Sequence, residues 1–215
     1  MKTYRFSCLA SGFVRMWRAW AVVIVVVVVN ALLQALLIWP PFTYGSGVWT
    51  TISAVVSGIV MWIAFGLVAA GALKVADGPV SLRDAASTLR SHARAYLIWS
   101  LVWFVAVVIG LALFVVPGVV VIALTPFLAL AVLDGQGNPL KANFTALGRK
   151  WGRWLVTTVI VVLVLVLAWN VSGFTAFFLR GPLATALIWL VGGWLLAWFL
   201  TAYGLIYRSA AVSRS

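Results

Sequence analysis

Phe13-Val14-Arg15-Met16-Trp17-Arg18-Ala19-Trp20 stands directly before an unbroken apolar run, and its pattern returns twice along the chain. The second copy is Leu89-Arg90-Ser91-His92-Ala93-Arg94-Ala95-Tyr96, and the third is Leu147-Gly148-Arg149-Lys150-Trp151-Gly152-Arg153-Trp154. Each has an apolar residue seven positions earlier (Phe6, Leu82, Leu140) and a hydroxyl at an aligned place (Ser11, Ser87, Thr145). A basic, aromatic-tipped lead-in followed by apolar segments broken at Pro or Pro-Gly is thus a unit used three times. Its approximate bounds are 1–76, 77–134 and 135–208, within a single integral membrane domain of residues 1–215.

Composition sets the solvent of this fold. The chain is 65% hydrophobic and 8% charged over 215 residues, against about 25% charged residues in soluble domains. Crossing the hydrocarbon takes about 20 apolar residues per helix, and six runs qualify: 19–38, 49–73, 97–115, 118–133, 154–171 and 183–205. The fourth is short and carries Pro126, which removes a backbone donor and bends a helix, so a re-entrant segment stands beside a full span. The first is too long, and too poor in small residues at a cleavage point, for a signal peptide, which favours an uncleaved anchor.

Basic residues orient the spans, because Lys and Arg stay on the cytoplasmic side. Lys2, Arg5, Arg15 and Arg18 precede the first run; Lys74, Arg83, Arg90 and Arg94 lie between the second and third; Lys141, Arg149, Lys150 and Arg153 lie between the fourth and fifth. Arg208 and Arg214 follow the sixth, and Arg180 alone falls on the other side. Both termini are expected in the cytoplasm, at a bacterial cytoplasmic (inner) membrane. The net charge of +12 is concentrated at membrane entries, which selects anionic lipid headgroups over nucleic acid as partner. The eight candidate lipid contacts are Arg15, Arg18, Arg83, Arg90, Arg94, Arg149, Lys150 and Arg153.

Local signals place the lead-in helices. Ser81-Leu82-Arg83-Asp84 has the spacing of a capping box, predicting a helix from Leu82. Asn138 before Pro139 predicts another, since proline suits the first helical position. In the first, Leu82, Ala85, Ala86, Leu89, Ala93 and Tyr96 share one face against Arg83, Arg90 and Arg94; in the second, Leu140, Phe144, Leu147 and Trp151 oppose Lys141, Arg149 and Lys150. Such helices lie in the headgroup plane. Asp77-Gly78 and Asp134-Gly135 repeat the same turn chemistry, and the far-side closures are expected at Pro40-Pro41, Pro117-Gly118 and Gly181-Pro182. The expected fold is all-α: a polytopic membrane helical bundle, six transmembrane helices as three hairpins, each preceded by a basic amphipathic interfacial helix.

Enzyme chemistry finds few residues to work with. There is no glutamate, the three acids Asp77, Asp84 and Asp134 fall at the cytoplasmic edge, and His92 and Cys8 are single. Paired carboxylates, an ordinary metal set and a Ser-His pair are therefore unsupported, and neither catalytic, metal nor cofactor residues are assigned. A single cysteine excludes an internal disulfide.

Neutral polar residues within the runs are the remaining candidates: Asn30 and Gln34 one turn apart, Thr125 and Asn170, with Ser53, Ser57, Ser172 and Thr201. Such groups bind across helices at about 0.6–2 kcal/mol each, and Asn30 with Gln34 could instead line a path or bind a headgroup. Small residues four apart at Ala54/Gly58, Gly66/Ala70 and Gly193/Ala197 suit close backbone approach within the chain, with an oligomer left open. Of the 13 tryptophans, those at Trp17, Trp20, Trp39, Trp49, Trp151 and Trp154 read as interfacial anchors.

Several motifs resemble a known group. These are Val116-Pro117-Gly118-Val119, the run Thr125-Pro126-Phe127-Leu128-Ala129-Leu130-Ala131-Val132-Leu133-Asp134-Gly135, and an Ala/Leu-rich helix ending Gly152-Arg153-Trp154. With the lead-in from Ser81, the stretch 81–162 resembles a bacterial group of largely uncharacterised six-helix membrane proteins, similar to the membrane domain fused to some glycerophosphodiester phosphodiesterases. The resemblance implies a helical membrane bundle and carries no hydrolytic activity with it, because that chemistry belongs to the separate fused domain. The expected role is a non-enzymatic scaffold or modulator of another membrane protein or of lipids; a transporter or channel for a small or lipidic molecule is the alternative.

Overall fold

The computed structural model describes residues 7–38, 47–113, 115–178 and 181–211, the side chains of Ser7, Trp49, Val115 and residues 174–178 excepted. Every regular element among these is helical. In chain order they are α1 (Ser7–Met16), a 3-10 turn (Trp17–Ala19), α2 (Trp20–Leu37), α3 (Gly47–Lys74), α4 (Leu82–Ser91), α5 (Ala93–Leu113), α6 (Val115–Leu124), α7 (Leu128–Leu133), α8 (Pro139–Phe178) and α9 (Pro182–Ala211). Six stretches are long and apolar enough to cross a bilayer: Cys8–Leu37, Thr50–Lys74, Ala93–Leu113, Val116–Leu133, Pro139–Gly173 and Pro182–Ala211. By helix length and hydropathy the protein is a multi-pass membrane protein. The closure expected at Pro40-Pro41, and the lone far-side Arg180, lie outside the described residues.

Short helix, bend and long helix succeed one another at each of the three aligned stretches. His92 (φ −113°, ψ 12°) separates α4 from α5, and at the aligned position Lys150 (φ −126°, ψ 25°) divides α8. Both occupy the bridge region, which turns the chain without ending its hydrogen bonding for more than one turn. In the first copy the bend comes three residues late, at Ala19 (φ −110°, ψ 26°), because a 3-10 turn is inserted after Met16.

The helix starts follow local chemistry. Ser81 and Asp84 form the full capping box, with Asp84 N–H donating to Ser81 Oγ at 3.2 Å and Ser81 N–H to Asp84 Oδ2 at 3.0 Å. Asn138 Oδ1 accepts from Lys141 N–H at 2.9 Å, and Pro139 opens α8. The buried stripe of α4 differs from expectation. Ala86 and Ala93 are exposed, and Thr88 is buried in their place beside Ala85. The threonine is tolerated there because its hydroxyl bonds to Asp84 O at 2.9 Å within the same helix.

A second departure is the turn between α5 and α6. α5 runs to Leu113 and α6 already begins at Val115, so the expected Pro117-Gly118 lies inside a helix. Pro117 sits in the first turn of α6, where its missing N–H has no intrahelical partner to lose. Gly118 serves packing: a methyl on Gly110 of α5 would lie 2.8 Å from Gly118 Cα. The fourth run is not one bent helix either, since Thr125-Pro126-Phe127 divides it into α6 and α7.

The core is gathered at one end. Residues 68–73 of α3, 127–133 around α7 and 197–210 of α9 supply most of it, with Met16, Ala19, Val22 and Val26. α2 is buried along one whole face, down to Asn30, Gln34 and Ala35. The far halves of α3 and α8 are open, Leu163 and Trp169 being 63% and 81% exposed. The end that holds the core is also the basic end. There Val80 N–H donates to Arg18 O at 2.8 Å, tying the start of α2 to the segment leading into α4.

Candidate functional site

Pro126 dictates the most constrained polar site. A proline within an apolar helix frees backbone groups that hydrocarbon cannot satisfy. α8 supplies the missing partner through Asn143, which is wholly buried. Its Oδ1 accepts from Phe127 N–H at 2.9 Å, and its Nδ2 donates to Leu124 O at 2.8 Å. One amide thus caps both sides of the break. Thr125 donates to Val121 O at 2.6 Å and accepts from Trp103 Nε1–H at 2.7 Å, which fastens α5 to the same joint.

Asn143 was not among the expected site residues. A proline inside a spanning run announces orphaned groups, yet nothing in the pattern says which side chain meets them. Asn143 lies 16 residues from Phe127, in the basic lead-in stretch rather than in an apolar run.

Of the intramembrane polar candidates, Gln34 is paired across α2 and α3. Ser57 Oγ–H donates to Gln34 Oε1 at 2.6 Å, and Gln34 Nε2 donates to Ser57 O at 3.2 Å. Asn30 is buried one turn away, and its Oδ1 has no partner; Trp154 Nε1 is the other such buried atom among the described residues. Asn170 is exposed on α8 and donates to Val166 O of its own helix at 2.7 Å. The fold therefore brings Asn30 and Gln34 to one buried face and leaves Thr125 and Asn170 elsewhere. Two further polar links join helices: Trp62 Nε1–H to Ser100 Oγ at 2.7 Å, and Thr158 with Tyr203 at 2.9 Å. Of the small-residue pairs, Gly66/Ala70 and Gly193/Ala197 meet neighbouring helices, whereas Ala54 is exposed and Gly58 has open space beside it.

The candidate cations separate into two sets. Arg15, Arg18, Arg83, Arg90, Arg94, Lys150 and Arg153 make neither an ion pair nor a hydrogen bond through their side chains among the described residues. Arg149 is exposed and donates to Ala210 O at 3.0 Å, at the carbonyl end of α9.

Arg208, partly buried, is a further cation with partners in the chain. It meets Asp134 Oδ1 at 3.4 Å and Asp77 Oδ2 at 3.3 Å, and donates to Leu73 O at 3.2 Å. Both Asp-Gly turns are thereby gathered onto one side chain of α9. Tyr207 and Gln136 also donate to Asp134 Oδ2, at 3.1 and 2.9 Å. Gly135, at φ +70°, makes the turn that presents Asp134 there. Asp84 is pulled below its ordinary value chiefly by the Ser81 hydroxyl and then by the Ser81 N–H, with Lys74 and Arg83 adding to the effect. Among the described residues no three of His, Cys, Asp and Glu gather as metal ligands would.

These arrangements are read from the chain alone, because no family model matches it, and neither a curated protein nor a solved structure shows significant similarity to it.

Proposed function

We propose that the protein is a non-enzymatic integral protein of the bacterial inner membrane that scaffolds or modulates a membrane partner or the surrounding lipids. In this reading the six spans run as three hairpins, and the basic end with both termini faces the cytoplasm. The lead-in helices lie in the headgroup layer, with their basic residues toward the lipid phosphates. The observation that carries it is the closure at Pro126. Broken membrane helices are where carriers present backbone groups to a substrate or ion; here Asn143 takes both freed groups. The cations without a partner among the described residues supply the grip on an anionic leaflet, at about 1 kcal/mol each.

The test is purification in mild detergent followed by reconstitution. A stoichiometric protein partner or a tightly retained lipid is expected, with no solute flux from liposomes holding only this protein. Substrate-dependent flux in those liposomes overturns the reading. One observation favours transport of a small or lipidic molecule: Asn30 presents a buried acceptor with no partner among the described residues. In that case Asn30→Leu abolishes the flux without reducing the amount of folded protein.

A further inference from the structure

The geometry points to a site for one anionic phospholipid in the groove between α2 and α9, its acyl chain against the apolar walls and its phosphate at Arg15 and Arg18. The groove has a volume of 320 Å³, walled by Ile24, Val27 and Val28 on α2 and by Leu190, Val191 and Trp194 on α9. Two contacts create it. Val27 seats on Gly193, where an added methyl would lie 2.8 Å from Val27 Cγ1, so the helices touch along one line. Trp17 meets Trp194 edge-on, with ring centroids 5.3 Å apart, at the groove's end nearer the basic residues. Beyond that line the walls stay open, with Val28 38% and Val191 58% exposed.

Depth selects the occupant. Trp20 is exposed and lies one turn before Ile24, which itself lies one turn before Val28, so the three form a single stripe. From Trp20 to Val28 the helix advances about 12 Å, at about 1.5 Å per residue. The hydrocarbon is about 30 Å thick, so the groove fits within one leaflet. A ligand there is confined to the leaflet whose boundary Trp20 marks. That is the place of a lipid chain below its headgroup, and a solute in transit would need a path through both leaflets.

Charge selects the headgroup. In the sequence Arg15 lies two residues before Trp17 and Arg18 directly after it, and neither side chain has an ion-pair or hydrogen-bond partner among the described residues. An anionic phosphate meets that need, whereas a zwitterionic headgroup brings its own cation to the same place. The inference rests on the proposed reading of the basic end as facing an anionic leaflet.

The test uses full-length protein purified from bilayers of phosphatidylethanolamine and phosphatidylglycerol, with retained lipid counted by native mass spectrometry. One phosphatidylglycerol per chain is expected. Joint Arg15→Gln and Arg18→Gln substitution lowers its retention by roughly fivefold per arginine and leaves phosphatidylethanolamine unchanged. Val28→Trp or Val191→Trp, each filling the groove from its lipid side, lowers retention with both arginines intact; two variants on different helices guard against one failing to fold. Joint Arg83→Gln, Arg90→Gln and Arg94→Gln substitution leaves the retained lipid in place while weakening binding to anionic vesicles. Retention indifferent to both the arginine pair and the groove, with the vesicle effect intact, overturns the site and spares the wider reading. Loss of anionic preference from neither cation set overturns both.

Discussion

Asn143 holds Phe127 by its backbone N–H, at 2.9 Å in a fully buried setting, so the residue that repairs the Pro126 break comes from a different helix. Asn143→Leu leaves Phe127 N–H and Leu124 C=O without their partner. At about 1–3 kcal/mol for each buried group, the variant loses about 2–6 kcal/mol, read by unfolding in mixed micelles. Pro126→Ala restores a donor to the helix, and in that background Asn143→Leu costs less. Equal costs in the two backgrounds would show that Asn143 acts apart from the break.

Arg208 engages two acids of different exposure. The Asp134 side chain is 15% exposed and that of Asp77 is 70% exposed. Asp134→Asn is therefore expected to lower stability by about 1.5–3 kcal/mol, the range for hydrogen bonds to a charged group. Asp77→Asn changes it by about 0–1 kcal/mol, as for surface pairs. The reverse order in the same unfolding assay refutes this ranking.

Gly204 and Gly58 make a paired comparison. A methyl on Gly204 would lie 2.7 Å from Ala72 O, a backbone atom that cannot move without α3, while Gly58 has open space. Gly204→Ala destabilises by about 1–3 kcal/mol through overpacking. Gly58→Ala is neutral or stabilising by up to about 1 kcal/mol. Thermal midpoints of the two variants check the contrast.

The Ser81–Asp84 cap has a defined pH window. Because Asp84 is held below its ordinary value of 3.8 by the Ser81 hydroxyl, its contribution to α4 is complete above that value and is lost as pH falls through the lowered one. Ser81→Ala moves the carboxyl back toward 3.8. Following the Asp84 carboxyl carbon by NMR in micelles tests this; a wild-type midpoint at or above the ordinary value contradicts it.

Asn30 and Gln34 separate the two functional readings. Gln34→Leu strands Ser57 Oγ and costs about 1–2 kcal/mol. Asn30→Leu removes an acceptor that has no partner and is neutral or stabilising in unfolding assays. A well-folded Asn30→Leu protein that loses its cellular function favours transport; a functional one favours the scaffold.

The spans were legible because hydropathy dominates every other signal in them, and the α4 and α8 starts because a cap is written in adjacent residues. What the sequence concealed depends on groups far apart along the chain. Asn143 meets Leu124 and Phe127 across 19 and 16 residues, and Arg208 meets Asp77 across 131. Pro117-Gly118 misled for a related reason: its letters are those of a turn, while the glycine's task is contact with Gly110 on the neighbouring helix. Thr88 entered the buried stripe of α4 because it could satisfy its own hydroxyl locally, which a hydrophobicity pattern does not register.

The concentration of buried side chains at the basic end gives the two leaflets unequal mechanical roles. Near that end, α3, α7 and α9 are interlocked through Arg208 and the close seat of Gly204 on Ala72. Toward the other, α8 is exposed at Leu163, Val166 and Trp169. A bilayer that thins or thickens is accommodated at modest cost by helices free to tilt, and here that freedom belongs to one leaflet. A change in bilayer thickness is therefore expected to be met first by the exposed far half of α8, with the Arg208 cluster at the basic end held in place.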